Sequence, residues 1–376
     1  MTAAQPPGLY QDRHRLTRPR DGRRSNLALV LQSLYDEPQL TRADLARLTG
    51  LTKVTISDIV SELIDESLVE ETGITTGLRP GKPAATLAVR DDTVDIMALD
   101  LSGSEILRAG LYSLRGAKQS EVRVSLDGRT GEEAVAAVVD LAQRCASKAT
   151  HPILGIGVGS PGTVDGSGTV LSAPNLDWHQ VGLQDIIVSA LNLPTVVQND
   201  ANAAVIGEKA FANGGATMLR VQISRGVGAG ILLSGVLVLG TSGAAGEIGH
   251  LVIERQGERC SCGKRGCLET WISTPALRRR LKADDARPDE ILAEAGRRLG
   301  MALAPIVAAL DLQDIVVGGP EDLLNGEFLA SCGELITQRT HSEFRRDVTM
   351  KLSSLGDEAV PLGAVSLVLR TTLGVS

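Results

Sequence analysis

Aromatic residues are scarce in this sequence, and long apolar runs are missing. Phe, Trp and Tyr make up only 2% of the 376 residues, which argues against a nucleic-acid surface built from stacked aromatic rings. No apolar stretch approaches the roughly 18 residues that span a bilayer, and the amino terminus lacks the basic start and apolar run of a secretory signal. We therefore expect a soluble, cytoplasmic protein without a membrane partner.

An overall positive charge is also missing. The formal net charge is −7, so any contact with DNA must come from a local basic patch. One such patch lies between Arg13 and Arg24, where six arginines are accompanied only by Asp12 and Asp21. A solvated tail is the alternative interpretation of a short charge run, but the segment that follows favours DNA binding.

The segment after this patch predicts three helices. Apolar residues recur at helical spacing from Leu27 until Pro38, which ends the first helix. Thr41 and Thr52 are positioned to cap the second and third helices, with Gly50 in the tight turn between them. This is the helix-turn-helix pattern, in which the second helix of the pair enters the major groove by its amino-terminal end.

The amino-terminal end of the third predicted helix carries short hydrogen-bonding side chains and one cation. Such groups suit base edges and phosphates. Asp58 would repel phosphate unless it accepts a hydrogen bond from a cytosine amino group or pairs with a nearby arginine, and both roles stay open. The predicted DNA-reading residues are Thr52, Lys53, Thr55 and Ser57.

A β-hairpin with a basic tip follows the three helices. Residues 70–74 and 85–89 flank a Gly/Pro-rich stretch that contains Arg79 and Lys82, which completes a winged helix. The tip can lie in the minor groove of A·T-rich DNA, although a loop with incidental charge is the alternative. One winged helix covers only a half-site, so we predict a homodimer or a dimer of dimers on a palindromic double-stranded operator.

Strand and helix signals alternate beyond the hairpin. Apolar β-type runs such as 94–101 alternate with helical stretches such as 132–144, which predicts an α/β body with a central sheet. Glycine-rich segments at 100–104 and 226–230 are expected at turns between strands. Such turns can approach a phosphate closely, but they also occur without any ligand. We place the DNA-binding domain at 1–90, including a basic arm at 1–23, and the body at 91–376.

Three of the five cysteines lie within eight positions of one another. With one nearby histidine they supply the Cys₃His set of a closed tetrahedral zinc site, whereas a disulfide would leave an odd thiol. Four protein ligands leave no open position, so we predict one structural Zn²⁺ per chain. Cys145 and Cys332 lie in apolar helical stretches and are expected to be core residues. The predicted ligands are His250, Cys260, Cys262 and Cys267.

Further motifs extend through the body. They are Gly-Ile-Gly-Val-Gly-Ser-Pro-Gly at 155–162, Asn-Leu at 175–176, Asn-Asp-Ala-Asn-Ala at 199–203, Glu-Ile-Gly-His at 247–250, and Glu269 at the end of the cysteine cluster. With these motifs the chain resembles the ROK family of repressors, open reading frames and kinases over nearly its whole length. Within that family only the repressor branch carries a winged helix.

The resemblance implies a two-lobed, actin-like sugar-kinase fold with a sugar held between the lobes. Lobe 1 would comprise about 91–200 and 361–376, and lobe 2 about 201–360. Carboxylates, amides and an imidazole suit sugar hydroxyls, and if one nitrogen of His250 binds zinc, the other can face the sugar. The implied sugar contacts are Ser160, Pro161, Gly162, Asn175, Asn199, Asp200, Glu247, His250 and Glu269.

The nucleotide-binding loops of the family's kinases are altered in this chain. Asp-x-Gly-Gly-Thr is replaced by Asp-Leu-Ser-Gly-Ser, Gly-Thr-Gly by Ser-Arg-Gly, and a third Gly-Gly turn continues into Pro320. The arginine could neutralise a phosphate, although its bulk favours filling the nucleotide space. We therefore predict that ATP binding is lost. The altered positions are Asp100, Ser102, Gly103, Ser104, Ser224, Arg225, Gly226, Gly318 and Gly319.

These features together predict a sugar-responsive transcriptional repressor of carbohydrate-utilisation genes that is not an enzyme. Asp200 occupies the position of the family's general base and is expected here to orient the sugar only. An ATP-dependent sugar kinase of the hexokinase or glucokinase type, with an added DNA-binding domain, is the alternative. An architectural DNA-binding protein would not need the sugar-pocket residues. The sequence leaves open which sugar binds, whether it is phosphorylated, and whether it induces or co-represses.

Overall fold

A computed structural model of the chain describes residues 19–75, 84–103, 105–284, 286–324, 326–343 and 347–375, with the backbone alone at 19–21 and 74–75. The predicted wing-tip residues Arg79 and Lys82 lie outside these ranges, as do Ser104 and the basic arm up to residue 18. The first helix begins at Pro19, so the last part of the segment predicted as an arm is helical.

The amino-terminal unit contains three helices and a small antiparallel sheet. Thr41 and Asp44 form a capping box at the start of the second helix, which ends at Gly50 with a φ of 71°. The Thr52 side chain caps the third helix. The elements of this unit are α1 Pro19–Asp36, β1 Leu40–Thr41, α2 Arg42–Thr49, α3 Lys53–Asp65, β2 Val69–Thr75 and β3 Ala84–Val89.

Strand β3 lies between β1 and β2 and pairs with both in antiparallel orientation. The helices pack on this sheet through fully buried apolar residues, among them Leu34 of α1, Leu45 of α2 and Ile56 of α3. Three helices followed by a β-hairpin form a winged helix. The arrangement leaves the amino-terminal end of α3 at the surface.

The first half of the body is built on a five-stranded sheet. Within the described ranges its order is β11-β7-β4-β5-β6, with the first three strands parallel and the last two antiparallel. A second, small sheet of β10-β9-β8 stands beside it. The elements are β4 Asp95–Asp100, β5 Ile106–Tyr112, β6 Lys118–Ser125, α4 Gly131–Ala146, β7 Ile153–Ser160, β8 Thr163–Val164, β9 Val170–Ala173, β10 Trp178–Val181, α5 Leu183–Leu191, β11 Thr195–Asn199 and α6 Asp200–Phe211.

The second half of the body repeats this plan. Its sheet, as far as the chain is described, has the order β14-β13-β12-β15-β16, again with three parallel and two antiparallel strands. The predicted α/β body is confirmed. The elements are β12 Met218–Ile223, β13 Val227–Leu233, β14 Val236–Leu237, α7 Glu269–Ile272, α8 Thr274–Leu281, α9 Pro288–Leu310, β15 Asp314–Gly318, α10 Glu321–Leu324, α11 Glu327–Thr340, β16 Thr349–Leu352 and α12 Ala359–Thr372.

Helices α6 and α12 connect the two sheets. Helix α12 packs against β7, β4 and β11 of the first sheet, α6 packs against β13 and β12 of the second, and the two helices pack on each other. A Cβ atom on Gly363 would lie 1.7 Å from the carbonyl oxygen of Ala203, and one on Gly207 would lie 2.4 Å from that of Ala359. The two helix backbones are therefore in direct contact.

The prediction of a turn at 226–230 is wrong beyond Gly226. Only Ser224 to Gly226 form the turn, because Gly228 and Gly230 lie within β13. A Cβ atom on Gly230 would lie 2.5 Å from the carbonyl oxygen of Ala201 in α6. These strand glycines permit close helix packing, a long-range reason that the local glycine signal did not reveal.

The amino-terminal unit packs directly on the body. The hydroxyl of Tyr35 in α1 donates a hydrogen bond of 2.8 Å to the carbonyl oxygen of Leu114, and the Arg115 guanidinium lies 5.3 Å from the centre of the Tyr35 ring. Arg24 donates a hydrogen bond of 3.0 Å to the carbonyl oxygen of Thr371, at the end of α12. The winged helix is thus joined to the last helix of the body.

Among the helices that the structure describes, none combines the length and the apolar character that crossing a bilayer would require.

Candidate functional site

The predicted DNA-reading residues lie at the exposed start of α3. The Thr52 hydroxyl accepts a hydrogen bond of 3.2 Å from the backbone of Thr55 and lies 2.9 Å from the Thr55 hydroxyl. These two side chains are therefore engaged in capping the helix. Lys53 and Ser57 are exposed one turn apart on the same face. Val54, beside Lys53, is also exposed and was not among the predicted residues.

A groove of about 370 Å³ separates α1 from α3 and contains Asp58. Arg23 of α1 lines this groove and pairs with Glu62 at 2.5 Å. The arginine that shares this groove with Asp58 is thus paired with another carboxylate. The two roles predicted for Asp58 therefore stay predictions.

The predicted sugar-binding residues gather in one cleft of about 450 Å³ in the body. Ser160 is the exception, because it is fully buried and its hydroxyl donates a hydrogen bond to the carbonyl oxygen of Pro161. The loop after β7, the amino terminus of α6 and the segment before α7 all contribute to the cleft. The predicted residues that line it are Pro161, Gly162, Asn175, Asn199, Asp200, Glu247, His250 and Glu269.

Asn199 organises the floor of this cleft. Its side-chain oxygen accepts a hydrogen bond of 3.0 Å from the backbone of Asn202 and so caps α6. Its amide nitrogen donates to the carbonyl oxygen of Gly162 at 2.8 Å and to the Asp200 carboxyl group at 3.1 Å. Asp200 also accepts a hydrogen bond of 2.8 Å from the backbone of Ala201. The Asp200 carboxyl group is therefore fixed in orientation.

Burial raises the pKa of Asp200 to about 7. The negative charges of Asp100 and Glu247 add to this shift, while the backbone hydrogen bond from Ala201 and the charge of Arg220 oppose it. Asp200 is the first residue of α6, where the helix dipole favours the carboxylate, but desolvation outweighs that effect. Near neutral pH the group can therefore either donate or accept a hydrogen bond.

Glu269 connects the cysteine-rich segment to the wall of the cleft. Its carboxyl group accepts a hydrogen bond of 3.0 Å from the backbone of Val227, the first residue of β13. A Cβ atom on Gly226 would lie 2.9 Å from the same carboxyl oxygen. The turn at 224–226 therefore fits against Glu269. Sequence reasoning did not identify this contact, because it joins residues 42 positions apart.

His250 and three cysteines form a cluster that fits a metal ion. Their ligand atoms all lie within 4.8 Å of one another. A tetrahedral zinc site with bonds of about 2.3 Å to sulfur and about 2.0 Å to nitrogen requires about 3.8 Å between sulfurs and about 3.5 Å between sulfur and nitrogen. The Sγ atoms of Cys262 and Cys267 are 3.7 Å apart, and Cys260 Sγ lies 3.6 Å from His250 Nδ1.

The second nitrogen of His250 faces the cleft side of the cluster. His250 Nε2 lies 3.9 Å from the Glu247 carboxyl group, and both residues line the cleft. One imidazole can therefore belong to the metal cluster through Nδ1 and to the cleft through Nε2. Lys264 fixes the same segment by donating a hydrogen bond of 2.8 Å to the His250 carbonyl oxygen.

Trp271 anchors the cysteine-rich segment to the rest of the body. The guanidinium groups of Arg280 and Arg298 lie 4.0 and 3.9 Å from its ring centre. These arginines also pair with Glu258 and Glu254, which belong to the segment itself. Ion pairs and cation-π contacts therefore fasten the segment to α8 and α9.

Four of the altered loop positions line the cleft, and the other described ones do not. Ser102, Ser224, Arg225 and Gly226 line the same cleft. Asp100 is buried, binds the backbone of Ser102 at 2.9 Å, and pairs with Arg108 of β5 at 2.5 Å. Gly318 ends β15 beside Gln222, and Gly319 follows it. Arg108 was missed by sequence reasoning, because nothing local indicates that its partner is Asp100.

The winged helix and the cleft-bearing body can be compared with known proteins. A protein-family model described as the ROK family matches residues 96–371. The chain belongs to the ROK family. It is 31% identical to a xylose repressor of Caldicellulosiruptor bescii, over 93% of this chain and 96% of that relative.

Solved structures of ROK proteins show the same fold. A ROK family transcriptional regulator described as a homolog of the E. coli MLC protein superposes with a TM-score of 0.81 at 24% identity, over 93% of this chain and 97% of that one. A ROK glucokinase from Streptomyces griseus, solved with glucose and AMPPNP, gives a TM-score of 0.63 at 27% identity, over 73% of this chain and 98% of that one. The two-lobed ROK fold predicted from the sequence is confirmed.

Proposed function

We propose that this ROK protein is a sugar-responsive transcriptional repressor of carbohydrate-utilisation genes. The observation that carries the proposal is the combination, in one chain, of a winged helix and a cleft lined by hydrogen-bonding groups of the kind that bind sugars. Similarity to a xylose repressor extends over 93% of the chain and so includes both parts. A kinase would need only the cleft.

DNA binding belongs to residues 1–90 in this proposal. Lys53 and Ser57 stand on the exposed face of α3, where they can reach phosphates and base edges. Arg79 and Lys82 of the wing supply the cations for an A·T-rich minor groove. Since one winged helix covers a half-site, the protein binds a palindromic double-stranded operator as a homodimer or a dimer of dimers.

The effector sugar binds in the body, with Asn175, Asn199, Asp200, Glu247, His250 and Glu269 contacting its hydroxyls and the turn at 160–162 supporting it. A cleft of about 450 Å³ is within the range of roughly 300–1,000 Å³ found for small-molecule sites. Each contact contributes roughly 1–3 kcal/mol where its loss leaves a buried polar group unpaired. Sugar binding then closes lobe 1 (about 91–200 and 361–376) against lobe 2 (about 201–360). This closure changes the spacing between the two winged helices of a dimer.

The charges of the cleft favour an uncharged sugar over its phosphate ester. Three carboxyl groups line the cleft, those of Glu247, Glu269 and the partly ionised Asp200, together with one Lys or Arg side chain, Arg225 at an exposed position. A phosphate about 4 Å from a carboxylate is repelled by about 4 kcal/mol at the effective dielectric constant of a protein surface. We therefore propose that the effector is a neutral monosaccharide.

The metal cluster holds one structural Zn²⁺ per chain in this proposal. Cys260, Cys262, Cys267 and His250 Nδ1 have the spacing of a closed tetrahedral site, in which zinc supplies folding energy and no reactive position. The cluster keeps His250 Nε2 beside Glu247 and holds the segment that ends at Glu269. The residues of the cluster thus orient the sugar contacts without joining any reaction.

We also propose that the protein does not phosphorylate its sugar. Asp200 supplies a positioned base, but a base contributes only about 10²–10⁴-fold to a rate, whereas phosphoryl transfer depends on holding the γ-phosphate and its metal ion in line. The Asp100 carboxyl group is engaged by Arg108, and Arg225 projects from the turn of the second altered loop. With both loops altered in this way, Asp200 would serve as a hydrogen-bonding group for the sugar and not as a catalytic base.

Screening with the full chain tests the proposal. Thermal unfolding is followed with xylose, glucose and N-acetylglucosamine, and with the 6-phosphates of the two hexoses. DNA affinity is measured by fluorescence anisotropy on duplexes selected from a random library. We expect one uncharged sugar at 100 times its Kd to add about 2.7 kcal/mol of stability and to change DNA affinity about 5- to 150-fold.

A variant of the sugar cleft separates the sugar response from DNA binding. Glu269→Gln should weaken the sugar response and leave sugar-free DNA affinity unchanged, whereas Glu290→Gln, on the exposed start of α9, should leave both unchanged. If no sugar alters stability or DNA affinity, the repressor assignment is wrong. Phosphorylation of a hexose faster than about 1 s⁻¹, within the range typical of kinases, would establish the kinase alternative.

A further inference from the structure

An exposed apolar side chain lies at the start of α3, the helix that carries the predicted DNA-reading residues. Val54 is the second residue of α3 and is 71% exposed. Among the large hydrophobic residues that are described, the next most exposed is Leu48 at 54%. Its neighbours Lys53 and Ser57 are polar and exposed. A valine in such surroundings needs a physical reason.

The fold gives no such reason. Helix α3 packs on the domain core through Ile56, Ile59, Val60 and Leu63, and Val54 lies on the opposite side from Ile56. β-Branched residues have a lower helix propensity than Ala, Lys or Arg. Val54 therefore adds neither buried surface nor helix stability, and its side chain is accessible to an intermolecular contact.

DNA is the partner that the surroundings of Val54 favour. The side chain lies within the first turn of a capped helix, where exposed N–H groups and the helix dipole attract phosphate. Lys53 adds a cation beside it. Val54 therefore lies on the exposed end of α3 that a helix-turn-helix presents to the major groove, whose floor lies between two phosphate backbones.

The major groove offers one kind of apolar group to such a side chain. Thymine carries a C5-methyl group there, while the other base edges present hydrogen-bond donors and acceptors. We infer that Val54 reads a thymine in each operator half-site by packing against its C5-methyl group. The inference rests on the proposed function, since it requires α3 to enter the major groove. Asp58, one turn further along the same face, is placed to accept from a cytosine amino group nearby.

Uracil substitution provides a direct test. A duplex is selected from a random library with the full chain, and each thymine is replaced in turn by deoxyuridine, which removes only the methyl group. Affinity is measured for the natural protein and for Val54→Ala. Since Ala is the better helix former, the variant should fold, and thermal unfolding verifies this. Val236→Ala, which trims a valine of 43% exposure in β14, is the matched control.

We expect one thymine per half-site whose replacement weakens binding by the natural protein about fourfold, the equivalent of burying one methyl group. The same replacement should have no effect on Val54→Ala, while Val236→Ala should behave as the natural protein does. If uracil substitution affects the natural protein and Val54→Ala equally at every position, or if the selected sites lack thymine, the inference is wrong. A chain that selects no sequence would instead overturn the proposed function.

Discussion

At the scale of single residues, Asp200 is the group whose chemistry the fold alters most clearly. Its carboxyl group is held by Asn199 and by the backbone of Ala201, yet burial raises its pKa to about 7. An unfolded chain would ionise the same group near pH 3.9. Above that pH the unfolded state has released the proton while the folded state still binds it. Stability therefore falls as the pH rises from about 4 to about 7.

The variant Asp200→Asn should lack this loss. We expect its free energy of unfolding to exceed that of the natural protein by a few kcal/mol at most at pH 8, and the difference to shrink as the pH falls towards 4. Urea unfolding at pH 4.5, 6 and 8 measures it. Asp284→Asn, at an exposed position, serves as the control and should show no comparable trend. A constant difference across this pH range would contradict the raised pKa.

Residues differ in how much of their role the sequence reveals. Thr41, Gly50 and Thr52 act on their own helices, so spacing along the chain predicted them correctly. The contacts of Glu269 with Val227 and of Arg108 with Asp100 depend on how the chain folds back. A hydrogen bond between distant residues leaves no local pattern, and so neither contact could be predicted from one sequence.

At the scale of elements, the segment between β14 and α7 is held by the cluster of His250 with three cysteines and by the contacts of Trp271. Most of its residues between 251 and 266 are exposed or half-buried, so it has little core of its own. The contacts of Trp271 fasten its outer side, while His250 and the cysteines hold its inner side. The cysteine spacing predicted this cluster because its ligands lie close in sequence. The strand assignment of Gly228 and Gly230 could not be predicted, since it depends on packing against α6.

Removal of one ligand tests the role of the cluster. Natural protein purified without chelators should contain about one zinc per chain, and Cys262→Ser should lose most of it together with thermal stability and sugar response. Elemental analysis and thermal unfolding measure the two effects. Cys145→Ala, in the buried face of α4, should lower stability yet keep the metal. Natural protein without zinc would refute the assignment.

At the scale of the whole molecule, the winged helix and the body share one hydrophobic core. Val30 and Leu34 of α1 belong to the same buried cluster as Leu114 and Val375 of the body. Burial raises the pKa of Tyr35 to about 12, so its hydroxyl remains a donor to Leu114 throughout the physiological pH range. A shift of the body against α1 must therefore change this contact.

The hydroxyl of Tyr35 should matter for the response to sugar. We expect Tyr35→Phe to keep DNA affinity without sugar within about twofold, and to reduce the change in affinity that sugar causes by about 1 kcal/mol of coupling, or roughly fivefold. Tyr112→Phe removes a hydroxyl bonded to Glu358 within the body and should leave the coupling unchanged. Equal effects of both variants on coupling would contradict a role for the junction.

Helix α12 carries the backbone contact with α6 near its first turn and the contact with the winged helix at its last turn. Gly363 lies at the contact with α6, and about nine residues of helix, or about 14 Å, separate it from Thr372. A tilt of α12 by about 10° about Gly363 would displace Thr372 by about 2.4 Å. That displacement is comparable with the 3.0 Å hydrogen bond from Arg24 to Thr371. A movement of α6 against α12 would therefore reach the hydrogen bond that joins α12 to the winged helix.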